Sequence, residues 1–241
     1  MINSKMKIEL IEYPYNMWVI DDFLKQHIIE DLNANWIAQD TGLWGSSYNK
    51  FGARKNILED GMRWLNDYDL MPKEIVDVIK YFHTMECTEK ISKITKIGNL
   101  IKDESRNWSG MRTMLPDSYQ LIHSDATTHP VNKLRKKLTC ILYLNENYDR
   151  KRDEGCLEVW NDNMTKKEYE LEPINNRFVI FLNSNTAYHG VPIVKSERRA
   201  ITFSILSNNL SKETRTKALF VPRKEDNKKK INKLADMRLK V

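Results

Sequence analysis

RRAITFSIL, residues 198–206, decides the fold class. Arg198, Ala200, Thr202 and Ser204 alternate with Arg199, Ile201, Phe203 and Ile205. That period of two is the signature of a strand with two unlike faces. The isoleucine and phenylalanine face suits packing against helices, and the small, polar face suits the wall of a cavity. Working back along the chain, five further segments have the same short, β-branched and aromatic character: RFVIFLN (177–183), KEYELEP (167–173), GCLEVWN (155–161), KLTCILYLN (137–145) and SYQLIHSD (118–125). Strand signals this closely spaced, with turn residues between them, indicate an antiparallel sandwich or barrel.

The stretch before residue 107 has another texture, and the expectation there is mostly helix. VIDDFLKQHIIEDLNANW (19–36) opens on an Asp pair suited to N-capping. MPKEIVDVIKYFHTM (71–85) repeats Ile75, Val76, Ile79 and Phe82 at helical spacing, with Pro72 near its start. ECTEKISKITKIGNLI (86–101) continues with Ile91, Ile94 and Ile97, while residues 41–63, rich in Gly, Ser, Asn and Trp, suggest loop. The expected class is α+β, in three parts: a helical support region over 1–106, a β core over 107–210 and a basic, partly helical tail over 211–241.

Composition bounds the rest. Of 241 residues 41% are hydrophobic, enough for a core, which excludes wholesale disorder. Neither an apolar run of membrane-helix length nor a secretion signal is visible, so no membrane contact is expected. Cys87, Cys140 and Cys156 form no CxxC pair. This argues against a disulfide framework and fits a reducing, cytoplasmic compartment. The net charge of +6 sits at the C-terminus, where residues 211–241 carry eleven basic and four acidic groups. The body is therefore near −1, which argues against nucleic acid as partner. The tail is either a contact for phosphate or an acidic partner, or a solvated extension ending in the short helix KKKINKLADMRL.

Five histidines are present: His27, His83, His123, His129 and His189. His27 and His83 fall in expected helices and read as structural. His123 has Asp125 two residues on, where a strand points both to one face. His189 follows the apolar RFVIFL strand and a turn. Two imidazoles and one carboxylate suit a facial triad that leaves metal positions open; iron(II) fits, and zinc is allowed by ligand type. Arg198, on the polar face of its strand, is either a surface salt-bridge partner or a cavity cation whose planar fork would grip a carboxylate. The alternation of KLTCILYLN puts Tyr143 and Thr139 on one face, where the phenol could assist.

HSD, LTCILYLN, GCLEVW, the EP-turn-RFVIF block, YHGV and RRAITF, in this order and spacing, resemble the iron(II)/2-oxoglutarate-dependent oxygenases. The likeness is to their prolyl 4-hydroxylase-like branch, which includes the oxygen-sensing prolyl hydroxylases, and covers about residues 107–207. It implies a double-stranded β-helix (jelly-roll) core. It also implies Fe(II) held by His123, Asp125 and His189, with Arg198, Tyr143 and Thr202 as the 2-oxoglutarate side of the pocket. Implied likewise are O2 as co-substrate, ascorbate as an accompanying reductant, and hydroxylation of an unactivated C–H bond in a protein, peptide or small molecule, peptidyl proline among them. The sequence departs from the family at Cys156, where a second glycine is usual, and at Thr113, where some members carry a pocket tyrosine. A cupin-type metalloenzyme without 2-oxoglutarate and a non-enzymatic jelly-roll binding module are the alternatives.

Overall fold

The alternating segments become strands of one curled antiparallel sheet in the computed structural model, which describes residues 1–46, 59–105, 107–210 and 215–221. The strands are β1 (Lys7–Ile11), β2 (Met17–Asp21), β3 (Gly45–Ser46), β4 (Glu59–Leu65), β5 (Leu100–Lys102), β6 (Gly110–Ser124), β7 (Leu134–Tyr143), β8 (Leu157–Trp160), β9 (Lys167–Leu171), β10 (Phe178–Leu182), β11 (His189–Val191), β12 (Arg198–Leu210) and β13 (Leu219–Phe220). Among the described residues four α-helices accompany them, α1 (Gln26–Ala34), α2 (Lys73–Phe82), α3 (Met85–Thr95) and α4 (Arg150–Asp153), with a 3-10 turn at Tyr68–Leu70.

The main order is β1-β2-β10-β7-β12-β6-β11-β8-β9, with β3, β4, β5 and β13 attached at the sides. β6 joins the two halves. Residues 110–114 pair with β12 and residues 120–123 reach β11, with Asp117 at a left-handed φ of 65° between them. The result is the expected jelly roll. Its strands divide two cores by alternation. Leu138, Cys140, Leu142, Ile201, Phe203 and Ile205 face outward and pack with Ile75, Ile79 and Phe82 of α2. Met17, Val19, Met114, Tyr143, Val179, Phe181 and Ala200 face into the barrel.

α2 and α3 form where the 3.6-residue pattern places them. Thr84 caps α3, its hydroxyl accepting from the Cys87 N–H at 3.2 Å. Elsewhere the mostly helical expectation for the N-terminal region is corrected. Met17–Asp21 is strand β2, paired with β1 and β10, so the helix starts only at Gln26 and the Asp pair caps nothing. Asp21 instead holds the Arg177 guanidinium at 2.6 and 2.9 Å. Tertiary pairing outweighs local propensity there. Likewise α3 stops at Thr95, Lys96 turns left-handed, and Leu100–Lys102 joins β12. His83 caps α2 instead of lying within it. The expected 41–63 loop contains β3 and the start of β4, while residues 47–58 lie outside the described residues.

Of the C-terminal segment, 215–221 are described; there β13 pairs with the end of β6, and the helix expected near the terminus lies outside the described residues. Among the described residues no helix is long and apolar enough to cross a membrane.

Candidate active site

His123 lies near the end of β6 and His189 opens β11, and the register sets the two directly opposite each other. Their ring centroids are 4.3 Å apart. β11 can lie this close to β6 because Gly190 follows His189: a Cβ there would come 3.1 Å from the Ile122 nitrogen and 3.2 Å from the Gln120 oxygen. Asp125 sits just past the end of β6. Its Oδ1 is 3.6 Å from His123 Nε2 and 4.0 Å from His189 Nε2. One donor atom from each of the three lies within 4.8 Å of the other two.

Both imidazoles are buried and held in one tautomer. His123 Nδ1 donates to the Leu121 carbonyl at 2.9 Å and His189 Nδ1 to the Ala187 carbonyl at 3.0 Å. A carbonyl only accepts, so each Nδ1 carries the proton and each Nε2 turns a lone pair toward Asp125. Burial pushes His189 down to about 3, so it is neutral at physiological pH. Burial of Asp125 opposes its ionisation. The Lys136 ammonium and the two neighbouring imidazoles outweigh that and hold the carboxyl well below its ordinary value. Two lone pairs and Asp125 Oδ1 thus converge, with the Lys136 ammonium on the other carboxylate oxygen at 2.8 Å. The donor set fits iron(II), as the sequence suggested.

Deeper in the barrel, Arg198 pairs with Met114 across β6 and β12, and Tyr143 pairs with Ala200 across β7 and β12. That register brings arginine and phenol together. Arg198 donates to Tyr143 Oη at 3.0 Å and to the Gly155 carbonyl at 2.9 Å, and its remaining arm lies 3.9 Å from Met114 Sδ. No carboxylate among the described residues forms an ion pair with it, although it is partly buried. Gly155 adopts φ +72°. A Cβ on it would meet Val194 Cγ1 at 2.6 Å, so the turn that aims its carbonyl at Arg198 calls for glycine. Tyr143 is fully buried, and burial raises its pKa, with Arg198 pulling the other way.

Thr202 shares this face, but its hydroxyl is spent on the Trp108 carbonyl at 3.4 Å and makes no bond to Arg198 or Tyr143. Thr113 lies on the outward face and donates to Glu197 at 3.0 Å, away from the pocket. Cys156 is buried 3.4 Å from the Tyr148 hydroxyl. A cavity of about 400 Å³ is lined by Arg198 together with Asn145, Tyr148, Asp153 and Glu197.

Four neighbours of the triad carried no readable signal. Lys136 reaches Asp125 Oδ2 at 2.8 Å although it stands in an RKK run that reads as solvated surface. His129 sits in a buried Ser105–Asp103 network. Because its Nδ1 accepts from the backbone N–H groups of Val131 and Asn132, it braces the loop after Asp125 and offers no free base. Phe220 stacks on the His123 ring at 4.9 Å. Arg215 clamps the Ser124 carbonyl at 3.0 Å and Asn185 Oδ1 at 3.0 and 3.1 Å, tying the Asp125 loop to the one before His189.

Comparison with known proteins falls on the same elements. The family model of the 2OG-Fe(II) oxygenase superfamily matches residues 110–205, from the start of β6 into β12. Among solved structures, the fold is similar to a prolyl-4-hydroxylase from Pseudomonas putida (16% identity, TM-score 0.56, 80% of this chain and 93% of that one). It is also similar to a Trichoplax adhaerens prolyl hydroxylase in complex with a hypoxia inducible factor oxygen degradation domain peptide (17%, TM-score 0.56, 79% and 83%). No curated protein matches the chain. The matched region, residues 110–205, spans the strands that carry His123, His189 and Arg198, on a jelly roll similar to that of the prolyl 4-hydroxylases, and together with the His-Asp-His donor set it supports an Fe(II)- and 2-oxoglutarate-dependent oxygenase.

Proposed function

We propose that His123, Asp125 and His189 hold the iron, that Arg198 with Tyr143 holds the distal carboxylate of 2-oxoglutarate, and that the reaction hydroxylates a C–H bond of a peptide, with peptidyl proline as the leading substrate. One observation carries the assignment of the pocket: a half-buried guanidinium with no acid partner faces the same barrel interior as three converging metal donors. A desolvated cation without a counter-ion is costly, and a dicarboxylate spanning the interior removes that cost. Peptide as substrate class rests on the two structural relatives, one a prolyl-4-hydroxylase and the other bound to a peptide.

With Fe(II) and 2-oxoglutarate bound, the site supplies O2 activation coupled to oxidative decarboxylation of 2-oxoglutarate to succinate and CO2, one oxygen atom passing to the substrate. The chain's own groups do the rest. The Leu121 and Ala187 carbonyls fix both imidazole tautomers so that each Nε2 is ready to ligate without losing a proton first. Tyr143, kept protonated by burial, adds a phenol at the arginine end. Thr202 lines the same wall, and Val179, Phe181, Leu157 and Met17 keep the interior dry, which strengthens every charge interaction inside it. Anaerobic titration with Fe(II) and 2-oxoglutarate tests the pocket. A metal-to-ligand charge-transfer band should appear with the wild-type protein and need far more 2-oxoglutarate in Arg198→Met; its absence from the wild type refutes the assignment. Succinate release stimulated by proline-containing peptides, and not by their alanine counterparts, tests the substrate class.

A further inference from the structure

The two oxygens of Asp125 live in different surroundings. Oδ1 faces the two imidazole Nε2 atoms. Oδ2 accepts from Lys136 Nζ and from Thr139 Oγ1, each at 2.8 Å. The lysine is buried, and it reaches the barrel interior through a β-bulge. Ile205 and Leu206 are consecutive on β12, yet their partners on β7 are Leu138 and Lys136, so Lys137 is the extra residue. Without that insertion Lys136 would point to the outer face; with it, Lys136 falls on the same side as Thr139.

The ammonium is held from behind as well. It lies 5.0 Å over the Trp108 ring, which meets the His129 ring edge-on at 5.1 Å. The backbone of Lys136 is fixed too: its N–H donates to the Thr127 carbonyl at 2.9 Å and its carbonyl accepts from Asn183 Nδ2 at 3.2 Å. An ordered, desolvated lysine on one oxygen of a carboxylate is a built feature, not a stray surface contact.

We infer that Lys136 and Thr139 are positioning residues that reserve Oδ2, so that Asp125 can meet the metal through Oδ1 alone. This rests on the reading of His123, Asp125 and His189 as the iron ligands. A carboxylate free to turn could chelate with both oxygens and occupy a fourth coordination position. Held by one oxygen, it would leave more of the metal's positions open to 2-oxoglutarate and O2. The pair therefore protects co-substrate access at some cost in metal affinity, since a positive charge is kept beside a cation site.

The full chain and its Lys136→Met, Thr139→Val and Lys136→Arg variants separate these effects when titrated anaerobically, first with Fe(II), then with 2-oxoglutarate. In Lys136→Met, Fe(II) affinity should be equal to the wild type or higher. 2-Oxoglutarate affinity of the loaded protein, read from the charge-transfer band, should fall tenfold or more. Thr139→Val should show the same split at smaller amplitude, and decides the matter if Lys136→Met does not fold. Lys136→Arg, which keeps charge and donors, should recover 2-oxoglutarate affinity to within about threefold. Any result in which 2-oxoglutarate affinity is not lowered selectively overturns the inference, whether both affinities stay unchanged or fall together. Failure of the wild type to bind Fe(II) removes the triad reading itself, and this inference with it.

Discussion

β7 and β12 show two faces of the same backbone put to opposite uses. Outward, Leu138, Cys140, Leu142, Ile201, Phe203 and Ile205 are apolar, and Phe203 stacks on Phe82 at 4.5 Å and on Phe178 at 5.8 Å. Inward, alternate residues of the same strands are Thr139, Tyr143, Arg198, Thr202 and Ser204. Phe203 and Tyr143 are both all but inaccessible to solvent, so burial does not distinguish the faces. What does is satisfaction: the outer face is complete as it stands, whereas the inner one holds a cation without an anion and an anion beside two lone pairs. Stability is stored on one side and deficits on the other, and the deficits mark the chemistry.

Substitutions should pull the faces apart. Asp125→Ala has the largest expected effect. It removes a ligand outright and so should lower Fe(II) affinity by more than the ~10–100-fold typical of losing an outer-shell partner. Fe(II) retention and succinate release would both show it. Phe203→Ala should instead cost about 3–5 kcal/mol of stability, measured by denaturant unfolding, and leave 2-oxoglutarate affinity of the folded protein within about twofold. Arg198→Met should do the reverse. Two charge-assisted bonds worth ~1.5 kcal/mol each put the loss of 2-oxoglutarate affinity at ~10²-fold, while Tm holds or rises because an uncompensated cation leaves the interior.

Acidification distinguishes the faces by the inner one's protons. His189 has a pKa near 3 in the folded chain against about 6.5 unfolded. Below pH 6.5 the unfolded chain therefore takes up a proton that the folded one refuses. Metal-free stability is intact above 6.5 and should fall as pH drops toward 3, by about 2 kcal/mol at pH 5 from this group. Urea midpoints across pH 5–7 would show a slope that His189→Gln flattens. Arg215→Ala, at the rim, should have the smallest effect, a loss in Fe(II) affinity of about two- to fivefold, on the order of one exposed charge-assisted bond.

How far the sequence could be read follows from which interactions are local. The period of two over residues 118–206 gave the strands, and counting it forward put Arg198 and Tyr143 on one side of the sheet, where they meet. Helical spacing likewise located α2 and α3. β2 was misread because its partner β10 lies some 160 residues away, and nothing in MWVID announces that pairing. Lys136 was hidden by a single inserted residue, which reverses the face on which it emerges. Arg215 and Phe220 were lost in the charge of the surrounding tail, whose bulk composition masks two side chains docked at the triad.

β6 runs from Gly110 to Ser124 through a left-handed turn of backbone at Asp117, with Met114 against Arg198 on one side of it and His123 on the other. One covalent span therefore fixes the gauge between the guanidinium and the metal donors, like the jaws of a caliper machined from a single bar. A pocket measured in this way should reject a diacid one methylene too short or too long, since neither jaw can slide to meet it.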